Sequence, residues 1–187
     1  LYPHFTVEVL EDTAERLDQA LMNGQIQLAF FTMQSFDSQN YIVDKICTEQ
    51  VVLCTSREDE GVNKSKQGFK YPWINIQQFS DETFLVLHEQ TRLGRLTKSL
   101  LQEYGMNPHQ LLLSNVETAI NLAIQGYGVC LCSEISFADR KKNNRKVHLY
   151  SVGNTPITWD FVIARRNSDY CSLAMENMIR LCKEIYQ

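Results

Sequence analysis

Residues 123–134 read AIQGYGVCLCSE, and this short stretch decides the fold of the whole chain. Its Gly-Tyr-Gly turn could bind a phosphate, its Cys-Leu-Cys pair could bind a metal or take part in redox chemistry, or a helix could lead here into a buried strand. A dinucleotide-binding fingerprint needs a third glycine where Leu131 stands, and it needs a strand before the turn. A helical pattern precedes this turn instead, so the glycines do not form a phosphate loop.

The glycines and cysteines of this stretch fit a structural role. Gly126 is suited to the C-cap of a helix, and Gly128 allows a tight turn into the next strand. Cys130 and Cys132 are two residues apart on that strand, so their side chains share one face. Because no two further ligands stand near them in the sequence, we interpret both cysteines as core packing and predict no metal site.

Short apolar runs alternate with amphipathic helices on both sides of this turn. The predicted strands are residues 5–10, 26–31, 51–56, 83–88, 111–113, 129–132, 146–150 and 158–164. The predicted helices run from a capping box at 12–15 to Gly24, over 71–79, along a leucine stripe at 93–104 to Gly105, from a second capping box at 114–117 to Gln125, and over 170–186. Alternation of this kind predicts an α/β fold with largely parallel sheets.

The composition is that of an ordinary globular protein with an acidic balance. Of the 187 residues, 44% are apolar and 21% are charged, and the net charge is −4 with a pI near 5.6. This polypeptide therefore lacks the basic surface of a nucleic-acid binder. We interpret the positive residues within 140–146 as a solvated loop rather than a phosphate-binding patch. No apolar run approaches the roughly 20 residues of a membrane helix, and no signal-peptide pattern is present.

The six cysteines favour a reduced, cytoplasmic protein. None forms a Cys-x-x-Cys pair, and no Cys/His cluster has the spacing of a zinc site. Cys171 and Cys182 share a helical stripe with Met175, Met178 and Ile185, which we predict to be the buried face of the C-terminal helix. Free buried cysteine behaves as a small apolar residue, so we predict neither a metal nor a cofactor.

Polar residues stand at several turns that follow predicted strands. In open α/β sheets, ligands bind at the carboxyl ends of strands, where helix N-termini present free N–H groups. The residues at these turns are Asp12, Thr13, Thr32, Met33, Gln34, Thr91, Arg92, Ser114 and Asn115. Hydroxyls, amides and one arginine suit a small polar ligand such as a carboxylate. The alternative is that each residue only caps a helix, but four such turns together favour a ligand site.

Catalytic motifs are not recognisable in the sequence. No serine lies in Gly-x-Ser-x-Gly, no His-Glu-x-x-His is present, and the four histidines are scattered. His88 ends a predicted strand and could contact a ligand, although a surface or capping histidine is the simpler interpretation. Asp81 and Glu82 are typical of a turn rather than of an acid–base pair. We therefore predict a binding protein and not an enzyme.

Taken in order, several segments resemble one protein family. They are residues 17–29 (LDQALMNGQIQLA), 50–54 (QVVLC), 91–105 with Pro108, and 114–117 (SNVE) leading into 123–132. Their order and spacing resemble the effector-binding domain of LysR-type transcriptional regulators over essentially the whole chain. The resemblance implies a type 2 periplasmic-binding-protein-like α/β fold, with two Rossmann-like subdomains joined by two crossover strands. Subdomain I would comprise residues 1–52 and 158–187, and subdomain II residues 53–157.

The resemblance also implies how such a domain functions. It would bind a small-molecule effector, a small polar molecule or carboxylate. A homodimer or homotetramer would transmit the effect of this binding to the DNA contacts. DNA contacts would come from an N-terminal winged helix-turn-helix outside this chain, and the first strand and helix of subdomain I would also lie upstream. The family's effector positions, carried onto this sequence, are Thr13, Thr32, Thr91, Leu93 and the turn formed by Ser114, Asn115 and Glu117.

The sequence departs from the family at a few positions. Gln27 stands where the family usually has Asp, and Ser133 stands where it usually has Pro, which concerns local packing. Thr32 occupies a position where some aromatic-acid-responsive members carry arginine, so a dicarboxylate effector is not favoured. Residues 91–104 contain no cysteine, so sensing by the reactive cysteine pair of peroxide-responsive members is not expected.

Two other classes of protein share the expected fold. An extracytoplasmic solute-binding protein would carry a signal peptide or lipobox in its full gene, whereas a helix-turn-helix encoded upstream would exclude that class. An enzyme acting on small acids is the other alternative, and it would lose turnover when one residue of the site is changed.

Overall fold

The computed structural model describes residues 6–33, 40–59, 61–63, 66–137 and 147–186 of the chain. The helices of these ranges are α1 (Ala14–Met22), α2 (Arg92–Glu103), α3 (Val116–Ile124) and α4 (Leu173–Tyr186). The strands are β1 (Ala29–Met33), β2 (Tyr41–Thr55), β3 (Phe84–Leu87), β4 (Gln110–Leu113), β5 (Cys130–Ser133), β6 (His148–Tyr150) and β7 (Thr158–Arg166). Contacts divide the chain into unit 1 (Leu1–Thr48 and Trp159–Gln187) and unit 2 (Glu49–Thr158). None of the described helices is both long and apolar enough to cross a membrane.

Unit 1 has a helix on each face of its sheet. Because side chains alternate between the two faces of a strand, each strand contributes residues to the contacts with both helices. The strand order is β1-β7-β2, with β1 antiparallel to β7 and Ala29 opposite Ala164. On one face, Leu21 of α1 packs against these two alanines. On the other face, Ile46, Ile163 and Ile179 of α4 form a second small cluster.

Unit 2 is built around β3, which has a parallel neighbour on each side. β4 pairs with β3 in parallel, and Leu87 is opposite Leu113. On the other side, the amide of Leu85 donates to the carbonyl of Val129 at 2.8 Å, next to a parallel bridge between Phe84 and Val129. The last five residues of β2, 51–55, pair antiparallel with β5 and with β6. These strands and α3 enclose a core cluster of the unit.

The turn in residues 123–134 leads from a helix into a buried strand, as predicted, although Gly126 follows the C-cap instead of forming it. Gln125 is the C-cap of α3, and Gly126 and Gly128 follow with φ of 85° and 152°. Both values lie where a side chain would strain the backbone. A Cβ atom at Gly128 would also overlap the carbonyl oxygen of Thr83, so this glycine allows the chain to pass close to the start of β3.

The core-packing interpretation of the cysteines in this stretch is confirmed. Cys54, Cys130 and Cys132 are free and buried, and they share one core cluster with Ile120. Cys54 lies directly opposite Cys130 on the neighbouring strand. Hydrogen bonds with Cys132 and Cys54, together with burial, raise the pKa of the Cys130 thiol. This thiol therefore stays protonated and unreactive, since the thiolate is the nucleophile.

Most of the predicted elements are present, but several predictions are wrong. Residues 6–10 form no strand; Val7 and Val9 are 65% and 81% exposed, and no described strand pairs with them. The sheets are not largely parallel, because β1, β5 and β6 each pair antiparallel with β7 or β2. The first ten residues of β2, 41–50, lie outside the predicted strands, and β1 begins at Ala29 rather than at residue 26.

Two further predictions about helices need correction. Only the last part of the predicted helix at 71–79 is helical, as a 3-10 turn over Ile76–Phe79, because Trp73 forms bridges with two other segments. On α4, Ile179 is the buried residue, whereas Ile185 is 73% exposed. Cys171 and Cys182 do pack partly against this cluster. The basic residues within 140–146 lie outside the described ranges.

Candidate ligand-binding site

Two helices of unit 2 begin at the same edge of its sheet. Because β3 and β4 are parallel and Leu87 pairs with Leu113, the carboxyl ends of both strands lie side by side. α2 begins at Arg92, just after β3, and α3 begins at Val116, just after β4. The structure therefore brings together the predicted turns at 91–93 and 114–117. Helix N-termini at such an edge are suited to a polar or anionic ligand.

Thr91 is the N-cap of α2, and its hydroxyl is engaged on both sides. Its Oγ1 accepts from the amide of Gly94 at 3.0 Å and donates to the carbonyl oxygen of His88 at 2.8 Å. A hydroxyl has one proton and two lone pairs, so Thr91 retains one acceptor position and no donor. The amide of His88 donates to the carbonyl of Leu113 at 3.3 Å, which connects the two turns through the backbone.

Asn115, and not Ser114, is the N-cap of α3. Its Oδ1 accepts from the amides of Glu117 at 2.7 Å and Thr118 at 3.3 Å. The predicted capping box that begins at Ser114 is therefore wrong, because the amide oxygen one residue later reaches both amides. Ser114 is exposed, and its hydroxyl makes no hydrogen bond with other residues that the structure describes, so its proton is available to a ligand.

The first turns of α2 and α3 supply backbone donors at the same edge. The side chain of Leu93 is 9% exposed, so its amide is the group through which this residue can bind a polar ligand. Within the described ranges, the amides of Leu93 and Val116 have no acceptor, as is usual in the first turn of a helix. Arg92 is half-buried and Glu117 is exposed at the two helix starts.

Gly94 allows α2 to start close to the end of β3. A Cβ atom at this position would overlap the carbonyl oxygens of Leu87 and His88. Gly94 is not among the site residues predicted from the sequence. The available signal was a glycine in the first turn of an amphipathic helix, where it is unfavourable by about 1 kcal/mol relative to alanine.

Glu134 follows β5 and forms a network of hydrogen bonds and an ion pair that is not predicted from the sequence. Its Oε1 accepts from the amide of Gln50 at 3.3 Å, and its Oε2 accepts from the Tyr71 hydroxyl at 2.9 Å and pairs with Lys70 Nζ at 2.7 Å. Burial, and then the hydrogen bond to Glu134, raises the pKa of Tyr71. The carboxylate of Glu134 is thus neutralised within unit 2.

The remaining candidates belong to unit 1. Thr13 is the N-cap of α1 and accepts from the amide of Arg16 at 3.4 Å. The predicted capping box at Asp12 is wrong, because Asp12 Oδ1 instead accepts from the amide of Thr13 at 2.7 Å. Thr32 and Met33 end β1 and are half-buried, opposite Phe161 and Asp160 of β7.

Gln34 was also predicted as a site residue, but it lies outside the described ranges. Among the residues that are described, no group of three or more His, Cys, Asp and Glu side chains is placed to hold a metal ion. The groups at the edge of β3 and β4 are hydroxyls and amides, which are able to form hydrogen bonds with a polar ligand.

Comparison with known proteins identifies the family. The sequence model of the LysR substrate binding domain matches residues 1–187. An uncharacterized HTH-type transcriptional regulator, YcgK of Bacillus subtilis (strain 168), is 22% identical over an alignment 196 residues long, which covers 98% of this chain and 59% of YcgK. The chain thus spans about three-fifths of the length of that relative.

Solved structures have the same fold. The CcmR regulatory domain of Synechocystis PCC6803, in complex with 2-PG, aligns with a TM-score of 0.75 and 13% identity, covering 100% of this chain and 86% of that one. The HypT regulatory domain of Salmonella typhimurium, in its apo form, aligns with a TM-score of 0.72 and 14% identity, covering 98% and 84%. The predicted type 2 periplasmic-binding-protein-like fold is therefore confirmed. The resemblance found in the sequence is also confirmed, and this chain belongs to the LysR substrate binding domain family.

Proposed function

We propose that this domain binds a small polar effector at the carboxyl edge of β3 and β4 and that this binding regulates transcription. The observation that carries the proposal is the convergence of two helix N-termini, at Arg92 and Val116, beside the available hydroxyl of Ser114. Backbone amides at helix N-termini favour negative charge. The CcmR domain of the same fold was solved in complex with 2-PG, which supports a small-molecule site in this chain as well.

The hydrogen-bonding groups at this edge define the chemistry of the effector. Ser114 and the amides of Leu93 and Val116 donate, so they suit a carboxylate. Thr91 can only accept, so it suits a hydroxyl or an N–H group of the same molecule. A small hydroxy acid has both groups. Thr13 and Thr32 of unit 1 stay candidate effector contacts on the basis of family position.

In the whole protein, we assign DNA binding to a winged helix-turn-helix outside this chain. The relative YcgK is named an HTH-type regulator and is longer than this chain. In this proposal the two subdomains, residues 1–52 with 158–187 and residues 53–157, transmit effector binding through a population shift. The protein would act in the cytoplasm, where the DNA is, and would not be an enzyme. A mobility-shift assay with the full-length protein tests DNA binding.

The effector site can be tested by a change at Ser114. Thermal shift would be measured with lactate, glycerate and their amides, for the wild type and for Ser114→Leu. We expect the wild type to be stabilised by an acid and not by its amide, and the variant to lose this response at an unchanged melting temperature without ligand. Ser99→Leu, at an exposed position later in α2, is the matched control. Equal stabilisation of wild type and Ser114→Leu would contradict the site.

We further propose that the domain forms a homodimer through the exposed edge of β4. Leu111 and Leu112 are 42% and 56% exposed, and among the described strands β4 pairs only with β3. Exposed leucines on an unpaired strand edge favour association with another chain.

The proposed interface can be tested by light scattering after size-exclusion chromatography. Leu112→Lys is expected to produce monomers at concentrations where the wild type is dimeric. Tyr170→Lys is the control, because Tyr170 is 88% exposed and lies in unit 1. A dimer that survives the change at Leu112 would contradict this interface.

A further inference from the structure

Unit 1 contains a charged cavity on the α4 face of its sheet. The cavity is open to solvent, has a volume of about 360 Å³ and lies between β2, β7 and α4. This is within the range of sites that hold small organic ligands. Its walls combine two apolar residues, Cys171 and Ile179, with charged side chains of both signs.

The alternation of β7 places Arg165 at this cavity. Ile163 packs toward Ile179 of α4, whereas Ala164 packs toward Leu21 of α1. Arg165 is therefore on the α4 face, and it lines the cavity. The next residue, Arg166, is on the α1 face, where Nη1 donates to the carbonyl of Met22 at 3.3 Å and Nε pairs with Asp169 at 2.8 Å.

These two adjacent arginines differ in their partners. Arg166 is bound by the protein, but the guanidinium of Arg165 makes no hydrogen bond or ion pair with the residues that the structure describes. Its Nε is buried and unsatisfied. A buried donor without an acceptor costs on the order of 1–3 kcal/mol, and in a native protein a water, an ion or a bound ligand can supply the acceptor.

The other charges of the cavity are mostly paired. Lys183 Nζ lies 2.5 Å from Asp44 Oδ1, and Arg180 Nη1 lies 2.6 Å from Glu184 Oε1. Glu176 is exposed on α4, and its carboxylate, like the Arg165 guanidinium, has no partner among the described residues. The cavity therefore offers one uncompensated positive group, one uncompensated negative group and an apolar wall.

We propose that this cavity binds a free amino acid with a small apolar side chain. The carboxylate of the ligand would bind Arg165, its ammonium group would bind Glu176, and its side chain would lie against Ile179 and Cys171. A zwitterion matches the net charge of the two unpaired groups, and arginine binds carboxylates with two parallel hydrogen bonds.

The proposed amino-acid site is separate from the effector residues predicted in the same unit. Thr32 pairs with Phe161 on β7, and Arg165 lies four residues further along that strand. At about 3.3 Å per residue, the two positions are roughly 13 Å apart along the strand. Ser114 and Thr91 belong to unit 2.

Isothermal titration calorimetry with L-leucine tests the proposal. The wild type is expected to bind L-leucine saturably, and to bind L-leucinamide and 4-methylpentanoate at least tenfold more weakly, because each lacks one of the two charged groups. Arg165→Met and Glu176→Gln are each expected to weaken L-leucine binding at least tenfold. Lys98→Gln, in an exposed ion pair of unit 2, is the control and should bind as the wild type does.

Several results would overturn this site. Absence of saturable leucine binding by the wild type would overturn it, as would equal affinity for 4-methylpentanoate. If Arg165→Met fails to fold, as judged by circular dichroism, Glu176→Gln still decides, because Glu176 is exposed. Loss of leucine binding in Ser114→Leu but not in Glu176→Gln would indicate that leucine binds at the β3–β4 edge. That result would support the proposed effector site while rejecting this one.

Discussion

The two units of this domain are stabilised in different ways. Of the largest fully buried side chains among the described residues, all except Leu21 and Ile163 belong to unit 2. The described residues of unit 1 instead form two small clusters, one on each face of its sheet. Unit 2 should therefore respond to core changes as one cooperative body, whereas unit 1 should tolerate them better. One pair of substitutions compares the cores of the two units, a second compares two glycines within unit 2, and a third compares a helix cap of each unit.

The largest difference is expected between isoleucines of the two cores. Ile120 of α3 is 0% exposed and Ile179 of α4 is 8% exposed. Ile120→Ala should lower the free energy of unfolding by about 4 kcal/mol, and Ile179→Ala by about 2 kcal/mol, since a buried truncation costs 2–5 kcal/mol according to how well the site collapses. Urea unfolding followed by circular dichroism measures both. Equal losses would show that the two units do not differ in core packing.

A smaller effect is expected at the start of α2. Gly94→Ala introduces a Cβ atom that overlaps two carbonyl oxygens, and such overpacking costs about 2 kcal/mol. Gly105→Ala is the comparison, because a Cβ there meets nothing within 4 Å and φ is 61°, a strain of about 1 kcal/mol. Only Gly94→Ala should also weaken effector binding, because it displaces the N-terminus of α2. Unfolding and thermal shift with effector measure the two effects, and retained effector response in Gly94→Ala would contradict this role.

The smallest effect is expected at the helix caps. Asn115 accepts two hydrogen bonds, the shorter at 2.7 Å, whereas Thr13 accepts one at 3.4 Å. Asn115→Ala should cost about 1 kcal/mol and Thr13→Ala about half of that. Chemical denaturation of both variants measures the difference. A larger loss at Thr13 would reverse the ranking of the two units.

Much of unit 2 could be predicted from local sequence patterns. The leucines of α2 repeat with helical spacing, the next glycine, Gly105, has φ of 61°, and the strands on either side are short apolar runs. Each of these patterns depends on the residues of a single element, so it can be read without knowledge of the tertiary contacts. The order of these elements also carried the family resemblance, and with it the fold.

Pairing and cap positions could not be predicted in the same way. Residues 6–10 alternate as a strand does, but a strand also needs a neighbour, and the sequence does not show which segment supplies one. At the helix starts, Ser114 and Asn115 are both good caps, and the backbone conformation decides between them. Asn115 has extended backbone angles, with φ of −135° and ψ of 130°.

Arg165 shows a third kind of difficulty. In the sequence it is one of two neighbouring arginines, Arg165 and Arg166, and no local sequence feature distinguishes their roles. Only the position of α1 and α4 on opposite faces of β7 gives one of them a set of partners and leaves the other beside a cavity.

The burial of Cys54, Cys130 and Cys132 has a practical consequence for spectroscopy. These three cysteines lie in unit 2, and Cys47, Cys171 and Cys182, which are partly exposed, lie in unit 1. A maleimide dye added to the native domain should therefore label unit 1 alone, without any cysteine being removed. The unmodified domain thus has built-in attachment points for a fluorescent reporter of its first unit. Its second unit remains unlabelled until it unfolds.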